Sequence, residues 1–345
     1  MRIFAITTRG LEAICAQEMA TVSRLAVRES AYRRVLADYS EPGPLASSGS
    51  LLALRTVDDI YLEIDTWDGI LRQRDALVRI QQQSAGLKLE QDTARLSSLR
   101  SIAKHPTFSV TASFVGKRNY SSDEIKTAVA RGVATHTGWQ YTENDQPGAL
   151  NLRLFIEGEQ ALVGLRLSDH PMHQRPYKQA NIPGSTKPTV AAAMVRLAEI
   201  PPGAGVLDPC CGAGTILIEA ALQGAPAVTG GDIDPQAISA AKANFQQARV
   251  RGAIQQWDAQ RLPLPDGHSA RIISNLPWGR QVSVKSGLDA SYQAITSEIR
   301  RVLAPGGRIV LLANAPDAVS ISGMRLTAQI EISLFGQNPK ILIFD

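Results

Sequence analysis

Val206-Leu207-Asp208-Pro209-Cys210-Cys211-Gly212-Ala213-Gly214-Thr215 is the most informative stretch of the chain. An apolar run closes on an acidic residue, a glycine-bearing turn follows, and a helical pattern over residues 215–223 opens directly after it. Glycines at 212 and 214 let the backbone take positive φ and approach a ligand closely. Such a turn places the ligand at the carboxyl end of the strand, beside the helix start. The alternation continues outward from there: strand 205–208, strand 227–233, helix 235–249, strands 254–257 and 270–274, helix 290–303 and strand 308–313. Two closing strands, 326–334 and 340–344, flank a turn at Gln337-Asn338-Pro339. Strands alternating with helices predict a parallel α/β sheet, and the closing pair predicts an antiparallel edge.

The turn is not a dinucleotide fingerprint, because the third glycine position holds Leu217, and it lacks the Gly-Lys-Ser/Thr of a P-loop. Asp208 would repel a pyrophosphate and suits a cationic ligand, such as the amino group of S-adenosylmethionine. Asp232, about 20 residues on from the turn, is placed to accept hydrogen bonds from ribose hydroxyls. Asp234 reads as the cap of the next helix, with Pro235 at its first position. Asp258, after the third strand, can accept from an adenine amino group. Three acidic residues at three successive strand ends carry far more weight than one glycine turn.

The fourth strand ends in Asn275-Leu276-Pro277-Trp278-Gly279. An exocyclic amine conjugated into its ring is a poor nucleophile. The Asn275 side-chain oxygen and the Leu276 carbonyl can hold its two hydrogens and aim its lone pair, while Pro277 fixes the turn. Trp278 offers a face for an extruded base, worth on the order of 1–3 kcal/mol. Positioning alone would carry such catalysis, with no metal.

The 345 residues suggest two or three domains, and 44% apolar content is that of a folded chain. No stretch approaches the roughly 18–20 apolar residues of a membrane span, and the first twenty residues do not read as a secretory signal. Cys15, Cys210 and Cys211 make neither a disulfide framework nor a zinc site and fit a reducing cytoplasm. The five histidines lack partners at ligand spacing, so no metal is expected. Net charge is only +4, but residues 170–198 carry Arg175, Lys178, Lys187 and Arg196 with no acidic residue, the pattern of a strip that tracks phosphates.

Two further regions precede that strip. Residues 1–67 read as a strand, a helix and strands 31–39 and 51–64 around the Pro42-Gly43-Pro44 and Ser47-Ser48-Gly49-Ser50 turns. Residues 68–168 read as helices 76–83 and 87–102, strand 107–114, helix 122–137 without a capping box at Ser122, and a hairpin of 149–156 with 161–167. Lys117-Arg118-Asn119-Tyr120 lies between a strand and a helix, where it can clamp a phosphate or stack a base.

Asp-Pro-x-Cys-Gly-x-Gly-Thr, then Asp-Ile-Asp, then Asn-Leu-Pro-Trp-Gly, resembles the THUMP-containing RNA guanine-N2 methyltransferases, closest to those modifying position 6 of the tRNA acceptor stem. Leu54-Arg55-Thr56-Val57-Asp58-Asp59 resembles the family's ferredoxin-like domain, implying domains at 1–72, 73–168 (THUMP) and 189–345, the last a seven-stranded Rossmann-like sheet with its last strand antiparallel. Arg175-Pro176-Tyr177-Lys178 resembles its linker motif, within a basic linker at 169–188. Lys187-Pro188-Thr189-Val190-Ala191 resembles the entry to its catalytic domain. Cys210, and Pro176 in place of glycine, depart from the family pattern.

The resemblance implies S-adenosylmethionine held by Asp208, Cys210, Gly212, Gly214, Thr215, Asp232, Ile233, Asp258, Asn275 and Thr189. It also implies catalysis by Asn275, Leu276, Pro277 and Trp278. The tRNA acceptor stem and 3′ end would meet Lys117, Arg118, Arg175, Tyr177, Lys178 and Lys187, on a monomer away from membranes. Pro209-Cys210 also resembles the Pro-Cys of cytosine-C5 methyltransferases, but its place in the cofactor turn makes both thiols packing groups. Related alternatives are guanine N2 at tRNA position 10 or in rRNA, adenine N6 or protein glutamine. Another class altogether is an RNA-binding module with a vestigial sheet, against which the intact Asp208, Gly212, Gly214, Asp232 and Asn275 argue.

Overall fold

The computed structural model describes residues 1–40, 49–146, 148–278 and 288–345. The turns at Pro42-Gly43-Pro44 and Ser47-Ser48, and Gly279 of the fourth-strand motif, lie outside the described residues. The chain divides into two units, one of Met1–Ile6 with Ala16–Met172 and one of Thr7–Cys15 with His173–Asp345. No described helix is long and apolar enough to cross a membrane.

The first unit holds β1 (Arg2–Ile6), β2 (Leu25–Ala31), β3 (Arg34–Tyr39), β4 (Asp59–Trp67), β5 (Phe108–Phe114), β6 (Leu150–Glu157) and β7 (Gln160–Arg166). Among the described residues these form one sheet in the order β2-β3-β1-β4-β7-β6-β5. Strands on either side of residue 72 therefore share a sheet, through the antiparallel pairing of β4 with β7. Its helices are the end of α1 (Glu12–Met19), α2 (Gly49–Leu52), α3 (Ala76–Ala85), α4 (Leu89–Leu96) and α5 (Ser122–Thr137).

Two local expectations change. Residues 51–64 are not one strand, because the buried Glu18 carboxylate takes the backbone N–H groups of Arg55 (3.0 Å) and Thr56 (2.8 Å), which bends the chain before β4 begins. The start of α5 does carry a capping box, one residue earlier than expected: Ser121 accepts from the Glu124 N–H while the Glu124 carboxylate accepts from the Ser121 N–H.

The second unit contains α6 (Pro188–Leu197), β8 (Val206–Asp208), α7 (Thr215–Leu222), β9 (Val228–Asp232), α8 (Pro235–Ala248) and β10 (Ala253–Gln256). It continues with β11 (Ser269–Asn275), α9 (Leu288–Val302), β12 (Leu303–Ala313), β13 (Leu326–Glu331) and β14 (Lys340–Phe344). Among the described residues the seven strands run β10-β9-β8-β11-β12-β14-β13, all parallel except β14. The antiparallel strand is thus not at the edge. Ile341–Phe344 is buried and fits between neighbours, whereas β13 is largely exposed and takes the rim. The turn before β14 sits at Phe335-Gly336, both at positive φ and bracketed by paired Leu334–Gln337 backbone bonds, rather than at residues 337–339.

Strand order reverses beside β8, which neighbours β9 on one side and β11 on the other. Such a switch point leaves a crevice beyond the carboxyl ends of the strands. Leu207, Ile272 and Leu311 belong to one apolar cluster, Val206, Ile273 and Val310 to the other, so the sheet is covered on both faces.

Candidate active site

At the end of β8, Asp208 is buried to 1% exposure. Its Oδ1 accepts from the Ser274 hydroxyl at 2.6 Å and the Cys210 N–H at 3.1 Å, while Oδ2 has no hydrogen-bond partner among the described residues. Burial pushes its pKa up to about 7. The turn then runs through Gly212 (φ 52°) and Gly214 (φ 77°), the left-handed region that glycine enters without strain. The Gly212 N–H donates to Asp232 Oδ2 at 2.9 Å, and the Asp234 N–H donates to Asp232 Oδ1 at 3.1 Å. Asp232 thus ties the ends of β8 and β9 together. Asp234 caps α8 as expected, accepting from the Gln236 N–H at 2.8 Å with Pro235 following. Past β10, the Trp257 indole donates to the Pro209 carbonyl at 2.9 Å, and Asp258 accepts from the Gln260 N–H at 2.9 Å.

The fourth strand delivers Asn275. Its Nδ2 donates to the Gly184 carbonyl at 3.2 Å, and its Oδ1 accepts from the Trp278 indole N–H at 2.9 Å, leaving one lone-pair direction of that oxygen. The Leu276 N–H is used by the Leu312 carbonyl (2.9 Å), and the Pro277 carbonyl accepts from the Tyr292 hydroxyl at 2.8 Å. Trp278 is 7% exposed and packs in the apolar cluster of the second unit. Its ring is therefore not an open platform, and its first task is to fix the Asn275 carboxamide.

These groups meet around one cavity of about 730 Å³. Asp208, Asp232, Asp258 and the turn from Asn275 to Trp278 line it from four strand ends. Cys210, Gly212, Thr215 and the exposed Ile233 side chain complete its wall, together with residues 182–186. Gly214 stands behind the wall as the N-cap of α7, and Thr189 is fully buried in the first turn of α6, also off the wall. Burial pushes both cysteine thiols well above their ordinary pKa, so neither is a ready thiolate nucleophile.

Two buried polar atoms on this wall, Asp208 Oδ2 and the Thr215 hydroxyl, have no hydrogen-bond partner among the described residues. A carboxylate oxygen and a hydroxyl left unpaired beside an apolar side chain fit a ligand that carries an ammonium, further polar groups and a flat apolar ring.

Most of the expected RNA contacts turn inward. Tyr177 donates to Glu219 Oε1 at 2.7 Å, and Arg175 reaches the same oxygen at 3.2 Å, with Glu219 fully buried. Lys178 donates to the Thr186 carbonyl at 2.5 Å, its pKa lowered to about 8 by burial, and Lys187 donates to the Thr8 hydroxyl at 3.2 Å. Arg118 spends its guanidinium on the carbonyls of Ile70, Leu71 and Gly158 and on the Tyr120 hydroxyl. Arg175, Tyr177, Lys178 and Lys187 of the strip are tied within the protein, against the phosphate-tracking expectation, while Lys117 is exposed. Trp257, Tyr292, Ser274, Asn244 and the wall at 182–186 escaped the sequence reading, since each acts through a partner distant in the chain.

The family described as "RMKL-like, methyltransferase domain" (UPF0020) matches residues 175–325. The tRNA (guanine(6)-N2)-methyltransferase of Thermus thermophilus is 32% identical over 218 residues, 61% of this chain and 63% of that protein. The U6 snRNA (guanine-N(2))-methyltransferase THUMPD2 of Bos taurus is 32% identical over 234 residues, 65% of this chain and 44% of that protein. The matched stretch therefore spans less than two thirds of either relative. The crystal structure of TrmN from Thermus thermophilus superposes with a TM-score of 0.77 over 100% of this chain and 99% of that one, at 25% identity. The four strand ends that surround the cavity all fall within the stretch, residues 175–325, that matches this methyltransferase-domain model.

Proposed function

We propose that the chain is an S-adenosylmethionine-dependent RNA methyltransferase forming N2-methylguanosine in tRNA, at position 6 of the acceptor stem, in the cytoplasm. The observation that carries this reading is the junction of two features in one cavity: the unpaired Asp208 Oδ2 and the Asn275-Leu276-Pro277-Trp278 turn. The named activities of the relatives agree on guanine N2 and differ in the RNA.

Bound S-adenosylmethionine supplies an electrophilic methyl group on a sulfonium sulfur. Asp208 offers its free oxygen to the ammonium group, and Asp232 offers its remaining lone pairs to ribose hydroxyls. Asp258 accepts from the adenine amino group, against the apolar surface of Ile233. Asn275 Oδ1 and the Leu276 carbonyl hold the guanine amine hydrogens, so the nitrogen lone pair is aimed without a general base acting on it first. Trp278 fixes the Asn275 carboxamide, and Tyr292 holds the neighbouring Pro277 carbonyl. The N-terminal unit, read as a ferredoxin-like and a THUMP domain, grips the acceptor end and sets the distance to the target.

Asn275→Ala tests the assignment under single-turnover conditions with saturating tRNA and S-adenosylmethionine. The expected loss is about a hundred- to a thousandfold in rate, or on the order of 3–4 kcal/mol, with cofactor affinity nearly kept. A wild-type rate would reduce the motif to a turn.

A further inference from the structure

Residues 175–186 form an irregular strap before α6, interrupted by Pro176 and Pro183 and without ladder bonds of its own. Something else must hold it, and two fully buried polar side chains do. Glu219, on α7, takes Tyr177 and Arg175 at one carboxylate oxygen. Asn244, on α8, makes three bonds: Oδ1 accepts from the Ala180 N–H at 3.0 Å, and Nδ2 donates to the Ala180 carbonyl at 2.9 Å and the Ala213 carbonyl at 3.0 Å. A buried carboxamide is tolerated only when so paired, and its loss leaves two carbonyls and an N–H unpaired.

The geometry of those bonds joins three parts of the site. Ala180 belongs to the strap, Ala213 to the glycine turn, and α8 begins immediately after the Asp232 strand end. Beyond Ala180 the strap becomes the cavity wall at residues 182–186. Ile182 stands opposite Gly212, where a Cβ would lie 3.7 Å from its Cδ1. Gly184 receives the Asn275 carboxamide, and Lys178 closes the strap on itself through the Thr186 carbonyl.

Resting on the methyltransferase reading above, we propose that the strap is a clamped wall of the cofactor cavity and that Asn244 is the positioning residue that sets it against the glycine turn. Asn244 touches neither substrate nor cofactor. It acts through Ala213 on the turn that receives the cofactor and through the strap on Gly184, which orients Asn275. Cofactor affinity and the aim of Asn275 are therefore linked through one buried amide.

The full-length chain carrying Asn244→Ala tests this by two readouts: hydrogen exchange of peptides covering residues 176–186, without ligand, and calorimetric titration with S-adenosylhomocysteine. Strap exchange is expected to rise at least about tenfold, with β11 and β12 unchanged, and binding to weaken by about tenfold, since one or two hydrogen bonds correspond to that factor. KM for tRNA should stay near wild type. A purely structural role would lower the melting temperature and leave local exchange and binding as they were; that result overturns the proposal. If Asn244→Ala does not fold, Lys178→Met cuts only the outer tie. Faster strap exchange in it supports the clamp, and unchanged exchange overturns it. The exchange readout needs no ligand, so it decides the clamp on its own, while a wild-type chain that fails to bind S-adenosylhomocysteine contradicts the proposed function instead.

Discussion

Asp208 shows how a single carboxylate is prepared for its ligand. Burial raises its pKa from 3.8 to about 7, so the folded protein keeps a proton that the unfolded chain gives up between those values. In the free protein the stability contributed by this group is present below about pH 4 and falls as pH rises through about 7. An arriving ammonium favours the ionised form, so cofactor affinity should move the other way. Calorimetric affinity for S-adenosylhomocysteine is expected to rise with pH by up to about tenfold per unit below 7, then level off. Asp208→Asn should bind more weakly and without that slope. A wild-type affinity that is flat from pH 5.5 to 8 would remove Asp208 from the ammonium site. The acidic residue itself was legible in the sequence, because an Asp closing an apolar run before a glycine turn is a local pattern. Its protonation was not, because that is set by its complete burial among elements distant in the chain.

The strand–turn–helix elements were likewise readable, since hydrophobic period, glycines and the Asp234-Pro235 cap all act within one turn of chain. What the sequence could not disclose is how elements brace one another. Tyr292 on α9 is fully buried, and its hydroxyl holds the Pro277 carbonyl. Burial moves its pKa up to about 12, so it remains a neutral donor at physiological pH. Tyr292→Phe deletes that donor, leaving a carbonyl unsatisfied at a cost of about 1–3 kcal/mol. The turn after β11 should loosen, cutting the saturated methylation rate about tenfold while S-adenosylhomocysteine affinity stays within about twofold. Equal losses in both would mean that α9 supports the whole cavity rather than the turn. The basic strip was misread for the same reason. Arg175 and Tyr177 look like surface residues until Glu219, over 40 positions later, is found buried beneath them.

At the scale of the molecule, the second unit includes Thr7–Cys15 as well as His173–Asp345. Leu11 and Ile14 are buried in the same apolar cluster as Val190, Met194 and Ile341. Chain order alone assigned them to the N-terminal domain, because nothing in an eight-residue helical spacing says which core it enters. Leu11→Ala is therefore expected to destabilise the second unit by about 2–5 kcal/mol, seen as a lower melting temperature and faster exchange in α6. A fragment of residues 169–345 should melt lower than the same unit in the full chain; equal melting would show that the N-terminal segment contributes nothing to that core. The most direct measurement of the whole account is nucleoside mass spectrometry of tRNA incubated with the protein and methyl-labelled S-adenosylmethionine. The account predicts label in N2-methylguanosine, at one acceptor-stem guanosine, and labelling about a hundred- to a thousandfold slower with Asn275→Ala. Label in N6-methyladenosine, or no label in tRNA at all, would contradict it.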